Sequence, residues 1–452
     1  MGPKTGIDKP LERAYNVHTM NIVFIVIDTL RASRLGCYGY PKPTSPTLDQ
    51  LAGEGARFAR CFAPGIPTTP AHTTMFTGMH PLTHNIVCHG GQADLDRKIP
   101  VVGELLQNAG YTTAAVDNLF DMKPWLARGY EFYINPSYRH KLRLLVSCEE
   151  INARAIPWIR AHAAEKFYLF LHYWEPHTPY LPPERYRTFY PADRDPFSPQ
   201  YTSFEPIKRQ PFWEMFRDLW FNKLGPVTDA EYVASLYDAE IRHVDDGIAQ
   251  ILAVLAETGL AEETLVVLTG DHGESMYQHD IYFDHHGLYD DITHVPLMCR
   301  LPGKITAGQA IEPMVQHFDI APTLLEAAGA AIPAAMEGRS HWKALTGLEE
   351  VQGYPTVISC EATWQAKWAM RTDAAKLILA REPDRHGMPP RELYDLTNDP
   401  GETRNLADER QEQTAEMESE LEAWIAAGLA RTGRAEDPLR TQGITLGKRW
   451  NR

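Results

Sequence analysis

Short apolar runs alternate with stretches of helical spacing over the first three quarters of the chain. Residues 21–27, Asn-Ile-Val-Phe-Ile-Val-Ile, form a continuous β-branched run that is typical of a strand buried on both faces of a parallel sheet. The alternation predicts a doubly wound α/β sheet, in which ligands bind beyond the carboxyl ends of the strands. Its other predicted elements are strands at residues 112–116, 167–172 and 264–269 and helices at residues 47–55 and 101–110.

Two later segments depart from this alternation. Residues 190–226 are rich in Pro, Phe and Trp without a clean period, and their length fits either a roof over a pocket or an ordinary surface insertion. Beyond about residue 345 we expect a small antiparallel sheet, a helix and a basic tail. The pattern therefore predicts a catalytic domain over residues 1–345 and a smaller C-terminal α+β subdomain over residues 346–452. The expected strands of that subdomain are residues 356–360, 368–371 and 376–379, followed by a helix at 408–427.

Charge and cysteine content narrow the functional classes. Of 452 residues, 44 are Lys or Arg and 59 are Asp or Glu, which gives a formal net charge of −15. Such a chain has no general attraction for nucleic acid or anionic lipid, so we expect neither partner. The first 20 residues hold no signal-peptide core, no apolar run approaches a membrane span, and the six cysteines form no Cys-x-x-Cys pair. These features predict a soluble cytoplasmic protein with reduced thiols.

A helix with marked boundaries is predicted at residues 68–78, Thr-Thr-Pro-Ala-His-Thr-Thr-Met-Phe-Thr-Gly. Hydroxyl residues precede its first turn, Pro70 stands where a missing N–H costs nothing, and Gly78 favours the stop. Thr68 is thereby placed at a helix N-terminus, where free N–H groups favour an alkoxide or an anionic substrate oxygen. The alternative is a capped helix of purely structural role.

A candidate metal site combines two strand ends. Asp271 and His272 follow the strand at 264–269 in a turn that Gly270 permits, and Asp28 follows the first strand. Two carboxylates and an imidazole form a mixed oxygen and nitrogen set suited to Zn²⁺ or Mn²⁺. Taken alone, the Asp-His-Gly-Glu stretch is equally compatible with a simple turn, and convergence of the strand ends favours the metal site.

Six motifs together resemble the sulfatase branch of the alkaline phosphatase superfamily, and they occur in the order expected of that branch. The resemblance implies a central, mostly parallel sheet sandwiched by helices. It also implies one divalent metal ion, Zn or Mn with Ca as a further option, held by Asp28, Thr68, Asp271 and His272; a second site is left open. The motifs are residues 28–40, 68–78, 175–180, 270–274, 283–289 and 392–402.

The nucleophile motif departs from that of the sulfatases. Sulfatases carry a Cys or Ser within C-x-P-S-R and oxidise it to formylglycine, whereas Thr68 carries a methyl group on Cβ and cannot give that aldehyde. His72 replaces the motif's Arg, and Asn118 and Phe120 stand where a Lys-x-His pair is expected. The segment is similar to the T-x-P-x-H-x-T-x-x-T-G of nucleotide pyrophosphatase/phosphodiesterases, while the overall spacing looks closer to phosphonate monoester hydrolases.

The resemblance also implies roles for other polar residues. His177, or one of the pair His285 and His286, would protonate the leaving group, because imidazole titrates near neutral pH. One of the pair could instead complete a second metal site, and the other would be structural. Three further residues are expected to contact substrate, with ordinary surface or packing roles as the alternatives: His89, Asn118 and Lys367.

These observations predict a metal-dependent hydrolase of phosphodiesters or phosphonate monoesters. Thr68 would attack phosphorus and form a phospho-threonine intermediate that water then cleaves. Two alternatives remain: a sulfate or sulfonate ester hydrolase without formylglycine, and a catalytically silent binding protein of the same fold. The expected partner is a small-molecule phosphate, phosphonate or sulfate ester, and a homo-oligomer is possible.

Overall fold

The computed structural model describes residues 20–140, 142–384 and 386–445. The expectations for the first residues of the chain and for the basic tail after residue 445 lie outside these ranges. Among the described residues, no helix combines the length and the apolar character needed to cross a bilayer.

Fourteen strands lie within the described residues, and they form two sheets. Strand lengths of two to seven residues are ordinary for a globular domain. The strands are β1 Asn21–Ile27, β2 Ala56–Phe62, β3 Gly65–Ile66, β4 Thr112–Val116, β5 Phe132–Ile134, β6 Phe167–Tyr173, β7 Thr264–Gly270, β8 His294–Arg300, β9 Gln309–Ile311, β10 Val315–Gln316, β11 Val357–Glu361, β12 Lys367–Arg371, β13 Ala375–Ala380 and β14 Arg391–Asp395.

The large sheet has the order β10-β2-β8-β7-β1-β6-β4-β5, with β9 beside β2. Only β8 runs antiparallel to its neighbours, so the sheet is mostly parallel, as predicted. β1, β6 and β7 are buried over their whole length because helices cover both faces, which explains their continuous apolar sequences. Side chains from these strands form the centre of the main hydrophobic core.

The second sheet has the order β14-β13-β12-β11-β3 and belongs to the C-terminal part of the chain except for one strand. That strand, β3, is only two residues long and pairs in parallel with β11. A separate hydrophobic core lies between this sheet and the long C-terminal helix. The division of the chain at residue 345 remains a prediction, and the second sheet includes residues from both sides of it.

The helices pack on the faces of both sheets. Two of them are long: α8 spans 28 residues and α12 spans 22. The helices are α1 Pro46–Glu54, α2 Thr68–Thr77, α3 Pro81–His84, α4 Val102–Asn108, α5 Cys148–Ala161, α6 Trp213–Phe216, α7 Asn222–Leu224, α8 Ala230–Glu257, α9 Asp290–Thr293, α10 Ile320–Ala327, α11 Trp342–Leu345, α12 Gln411–Thr432 and α13 Pro438–Gln442.

The predicted elements match observed ones, with differences at their ends. The helix predicted at 408–427 begins and ends later, because Gly433 adopts a left-handed conformation (φ 67°) and supplies the stop. In the predicted excursion, residues 190–226 contain no strand; α6, a π-helical turn at Arg217–Phe221 and α7 occupy its second half.

Candidate active site

Two neighbouring strands bring the predicted metal ligands together. β1 and β7 are parallel, and Ile27 pairs with Gly270 in their register. Asp28 and Asp271 are the next residues of the two strands, so both carboxylates emerge at the same edge of the sheet. Both are fully buried, and His272 beside them is also fully buried.

The three side chains point at one another across a small space. His272 Nε2 lies 3.5 Å from Asp271 Oδ2 and 3.8 Å from Asp28 Oδ1. All three atoms are buried without a hydrogen-bond partner. The other ring nitrogen of His272, Nδ1, donates to the carbonyl of Gly273 at 2.9 Å, which leaves the Nε2 lone pair free.

This donor set fits a divalent metal ion. Two carboxylate oxygens and one neutral imidazole nitrogen are ligands of Zn²⁺ and Mn²⁺ in proteins. Without an ion the site is unfavourable, because burial and the Asp28 charge raise the pKa of Asp271 above its usual range. Uncompensated carboxylates are rare in protein interiors, so the unpaired oxygens favour a cation site here.

Thr68 is the first residue of α2 and lies beside the metal ligands. Its Oγ1 donates to Asp28 Oδ2 at 3.4 Å, and the residue is 3% exposed. His72, one turn further along the helix, donates from Nδ1 to the Thr68 carbonyl at 2.9 Å. Burial, together with the neighbouring His172 ring, lowers the pKa of His72 to about 4, so this ring is neutral near pH 7.

Another buried histidine, His172, also contacts Asp28. It lies on β6, which pairs with β1, and its Nε2 donates to Asp28 Oδ2 at 3.2 Å. Burial lowers the pKa of His172 to about 4. Its strand end was recognised in the sequence, but no role was assigned to it. The sequence does not show that β6 lies next to β1, and this pairing is what brings His172 to Asp28.

A cavity of about 240 Å³ opens above Thr68. Its floor is polar and includes His89, His177 and His285, while its walls are mostly apolar. The roof comes from the segment between residues 213 and 221, so the roof alternative for residues 190–226 applies and the surface-insertion alternative does not. Roof residues lining the cavity are Met215, Phe216, Leu219 and Trp220.

His177 and His285 face each other in this cavity with ring centroids 4.9 Å apart. His177 Nδ1 donates to the Thr178 carbonyl at 2.7 Å, which leaves Nε2 for another partner. The ring of His285 is 4.8 Å from the ring of His272, and its Nδ1 is buried without a partner. Burial lowers the pKa of His285 well below its usual value.

His286 points away from the cavity, unlike the residue before it. Its ring stacks on His386 at 4.2 Å, and its Nδ1 lies 3.4 Å from Asp284 Oδ2. Burial opposes protonation, but Asp284 outweighs it and the pKa of His286 is raised. The structure therefore separates the pair: His285 reaches the cavity, and His286 packs under it.

Two of the three expected substrate contacts are not at the cavity. The Asn118 amide accepts from Trp174 Nε1 at 2.9 Å and donates to the Arg143 carbonyl at 3.0 Å, so it supports the cavity wall from behind. Lys367 is 2% exposed, and its Nζ lies 2.7 Å from Asp384 and 2.9 Å from Glu392. Both carboxylates neutralise the ammonium group, and the expected substrate contact is corrected.

His89, the third expected contact, does line the cavity. Its Nδ1 lies 2.9 Å from Thr69 Oγ1, and its backbone N–H donates to Thr363 Oγ1 at 2.9 Å. Thr363 and its neighbour Trp364 come from the C-terminal part of the chain and form the opposite rim.

Glu274 and Asp284 are site residues for which sequence reasoning found no catalytic role. Both oxygens of Glu274 are buried without a partner, and Oε1 lies 3.7 Å from His285 Nδ1. Burial and the charges of Asp284 and Asp28 raise the pKa of Glu274 well above its usual value. The signal available was its place in the 270–275 motif, two residues after a metal ligand.

Comparison with known proteins gives the same picture. Residues 20–330 match the family model described as Sulfatase, and residues 278–427 match the model of the N-sulphoglucosamine sulphohydrolase C-terminal region. The uncharacterized sulfatase YidJ of Escherichia coli K12 is 26% identical over 448 residues, covering 86% of this chain and 83% of that protein.

A Δ4,5-hexuronate-2-O-sulfatase of Bacteroides thetaiotaomicron is 23% identical over 419 residues, which cover 86% of this chain and 84% of that protein. The crystal structure of the phosphonate monoester hydrolase of Agrobacterium radiobacter superposes with a TM-score of 0.72 at 21% identity. That superposition covers 91% of this chain and 96% of the other. At this identity the structural match shows the fold.

Proposed function

Because this chain belongs to the sulfatase family of the alkaline phosphatase superfamily, and is therefore a hydrolase of ester bonds, we propose that its substrates are phosphodiesters or phosphonate monoesters. In this proposal the unmodified Thr68 hydroxyl is the nucleophile. Small-molecule esters fit the cavity above Thr68, which has a volume of about 240 Å³.

The position of Thr68 is the observation that carries this proposal. Its oxygen lies at the first turn of α2, 3.4 Å from Asp28 and at the floor of the cavity. A threonine there cannot become formylglycine, and formylglycine is what releases sulfate by re-forming an aldehyde. A phospho-threonine can instead be cleaved by water at phosphorus, which favours phosphorus over sulfur as the reacting atom.

The protein's own groups account for each proton. Thr68 Oγ1 passes its proton to Asp28 Oδ2 and bonds to phosphorus, while the bond from phosphorus to the leaving oxygen breaks. His177 Nε2 gives a proton to that oxygen. Water then attacks phosphorus and gives a proton to His177, while the bond from phosphorus to Oγ1 breaks and Oγ1 takes back the proton held by Asp28.

Asp28, Asp271 and His272 are the residues that would hold the divalent ion, with Thr68 Oγ1 next to them. The ion would supply positive charge against the Thr68 oxygen and a non-bridging phosphoryl oxygen. Sulfatase-family enzymes use divalent metals, and we propose Zn²⁺ or Mn²⁺ here because His272 provides a nitrogen ligand.

Sulfate ester hydrolysis is the second candidate, and the family match favours it. It requires water to release sulfate from a sulfo-threonine. A comparison of kcat/KM for 4-nitrophenyl methylphosphonate, an aryl phosphodiester and 4-nitrophenyl sulfate decides between the two. We expect the phosphorus esters to be preferred, and a sulfate preference above about tenfold would reverse the order, since that corresponds to about 1.4 kcal/mol of transition-state stabilisation.

We also propose a cytoplasmic location. All six cysteines are free thiols in the structure, and burial raises the pKa of several of them, Cys37 and Cys299 to about 12. Such thiols are typical of a reducing compartment. Fractionation of the producing cells tests this, and recovery of the protein outside the cytoplasm would contradict it.

A further inference from the structure

We infer that the organic group held above Thr68 is an apolar aromatic or aliphatic group rather than a sugar or a nucleotide chain. The inference rests on the proposed function and deepens it, because it names the alcohol of the ester. It is carried by the chemistry of the cavity wall, which differs sharply from that of the floor.

Apolar side chains cover the wall on three sides. Leu142 and Leu144 contribute one side, and Phe216 and Leu219 form the roof. Trp364 closes the third side, where its ring packs 4.2 Å from that of Phe212. These side chains present methyl groups and ring faces, which bind apolar groups by burying their surface.

Apart from the two indoles, the polar lining residues are Thr68, His89, His177, Thr178, Asp284, His285 and Thr363. Thr68, His89, His177 and His285 gather where the phosphoryl group would lie. On the wall, the indole N–H of Trp174 is already donated to Asn118 and is not available to a ligand. Sugar hydroxyl groups placed against the leucine, methionine and phenylalanine side chains of this wall would lose their hydrogen bonds to water, and these side chains offer none in return.

Charge excludes a polyanion from the same space. Among the described residues that line the cavity there is no lysine or arginine, and Asp284 adds a carboxylate. A nucleotide chain or a polysulfated sugar carries further anionic groups that need cationic partners. Lys367, the cation expected from the sequence to contact substrate, is held by Asp384 and Glu392.

The volume of the cavity limits the size of the organic group that it can hold. A volume of about 240 Å³ is below that of ordinary drug-sized pockets and holds one ring together with the phosphoryl group. The Leu219 side chain lies at the mouth, where the residue is 47% exposed. A longer aliphatic chain could therefore leave the cavity across an apolar surface.

The test compares two methylphosphonate monoesters whose leaving alcohols have similar acidity: benzyl methylphosphonate and glucos-6-yl methylphosphonate. We expect kcat/KM to be roughly 100-fold higher for the benzyl ester, because the wall leaves the sugar hydroxyls unpaired. Equal values, or a preference for the glucosyl ester, would overturn the inference.

Matched variants of two neighbouring leucines test whether the preference for the benzyl ester comes from the cavity wall. Leu144→Ser should lower kcat/KM for the benzyl ester about tenfold and lower that for the glucosyl ester less, since Leu144 lines the cavity. Leu145 is the next residue, is 36% exposed and lies outside this cavity, so Leu145→Ser should change neither rate. Equal effects of the two variants would contradict the inference.

Two further experiments cover the cases in which the Leu144 variant does not fold or no phosphorus ester is cleaved. If Leu144→Ser does not fold, as judged by circular dichroism, Leu219→Ser replaces it, because this exposed side chain contributes little to the core. If no phosphorus ester is cleaved, the proposed function fails, and the inference is decided on benzyl sulfate against glucose 6-sulfate by the same criterion. A sugar preference in that series would overturn it.

Discussion

At the scale of single residues, the site depends on buried groups that the protein alone does not neutralise. Asp28 Oδ1, Asp271 Oδ2 and His272 Nε2 are enclosed and unpaired, and Glu274 adds two more unpaired oxygens nearby. Such a cluster destabilises the fold unless a cation or a ligand occupies it. A divalent ion bound by Asp28, Asp271 and His272 would therefore stabilise the folded protein.

The first prediction concerns the nucleophile. Thr68→Ala should lower kcat by at least about 10³-fold and abolish the covalent intermediate, because within the described residues Thr68 supplies the hydroxyl that is hydrogen-bonded to Asp28. Thr68→Ser keeps the oxygen and should retain turnover within about 100-fold of the parent. Quenched-reaction mass spectrometry of the peptide spanning residues 68–77 measures the intermediate. A modified peptide in the alanine variant would contradict the assignment.

The second prediction concerns the metal ligands. Asp271→Asn should lose bound metal and activity together, since an amide oxygen is a weaker ligand than a carboxylate. Asp117→Asn is the control, because Asp117 is also buried at a strand end but lies outside the ligand set. Elemental analysis of both purified variants gives the answer, and full metal content in Asp271→Asn would remove this residue from the set.

The third prediction separates the two adjacent histidines. His285→Gln should lower kcat/KM by about tenfold or more, because the His285 ring lines the cavity 4.9 Å from His177, the proposed proton donor. His286→Gln should change rates less than about threefold but lower the melting temperature, because His286 packs on His386 beside Asp284. The opposite pattern would show that the side chains exchange roles in the working enzyme.

At the scale of elements, the sequence predicted what local patterns control. The apolar run of β1 and the capped α2 have boundaries set by their own residues, and both occur where expected. The substrate contacts predicted for Lys367 and Asn118 were wrong because their actual partners come from distant elements. Glu392, which pairs with Lys367, lies on β14, and Trp174, which donates to Asn118, follows β6. Period and spacing in one segment carry no information about such partners.

The fourth prediction tests the turn that carries Asp271 and His272. A Cβ at Gly273 would lie 2.0 Å from the Asp291 carbonyl, so Gly273→Ala should cost about 2–4 kcal/mol of unfolding free energy and weaken metal binding. Gly53→Ala on the exposed end of α1 meets no atom within 4 Å and should be neutral or stabilising by about 0.5 kcal/mol. Urea denaturation compares the two, and equal losses would contradict the steric argument.

At the scale of the whole molecule, stability should depend on the protonation of Asp117. Burial raises the pKa of this carboxyl from 3.8 to about 7, although Tyr133 donates to it. A raised folded-state pKa means that the folded protein binds the proton more tightly than the unfolded chain. The associated stability is complete below about pH 4 and is lost as the pH rises to about 7.

The fifth prediction follows from this loss of stability as the pH rises. Asp117→Asn keeps both hydrogen bonds on Oδ1, from Leu119 N–H and Tyr133 O–H, but cannot titrate. Between pH 4 and 7 the unfolding free energy of the parent should fall by up to about 4 kcal/mol more than that of the variant. Urea denaturation at several pH values measures the slopes, and parallel curves would contradict the assignment.

The two sheets could be predicted from the sequence, but the pairing of an early strand with the C-terminal sheet could not. The alternation of strands and helices predicted the large sheet, and the short strands after residue 345 predicted the small one. The pairing of β3 with β11 was not predictable, because two residues, Gly65 and Ile66, have no detectable pattern. For residues 190–226 the sequence left two alternatives, a roof over a pocket and a surface insertion, because a non-periodic segment does not indicate what it packs against.

The pairing of β3 with β11 has a consequence for how such enzymes can diverge. Only Pro67 separates Thr68 from β3, so the proposed nucleophile is held in place by hydrogen bonds between β3 and β11, a strand of the C-terminal part of the chain. Recombination that swaps the last hundred residues between homologues would therefore misalign the reacting oxygen unless it also carried the short stretch before Pro67. Variation at the Trp364 rim should consequently accumulate by point mutation rather than by exchange of modules.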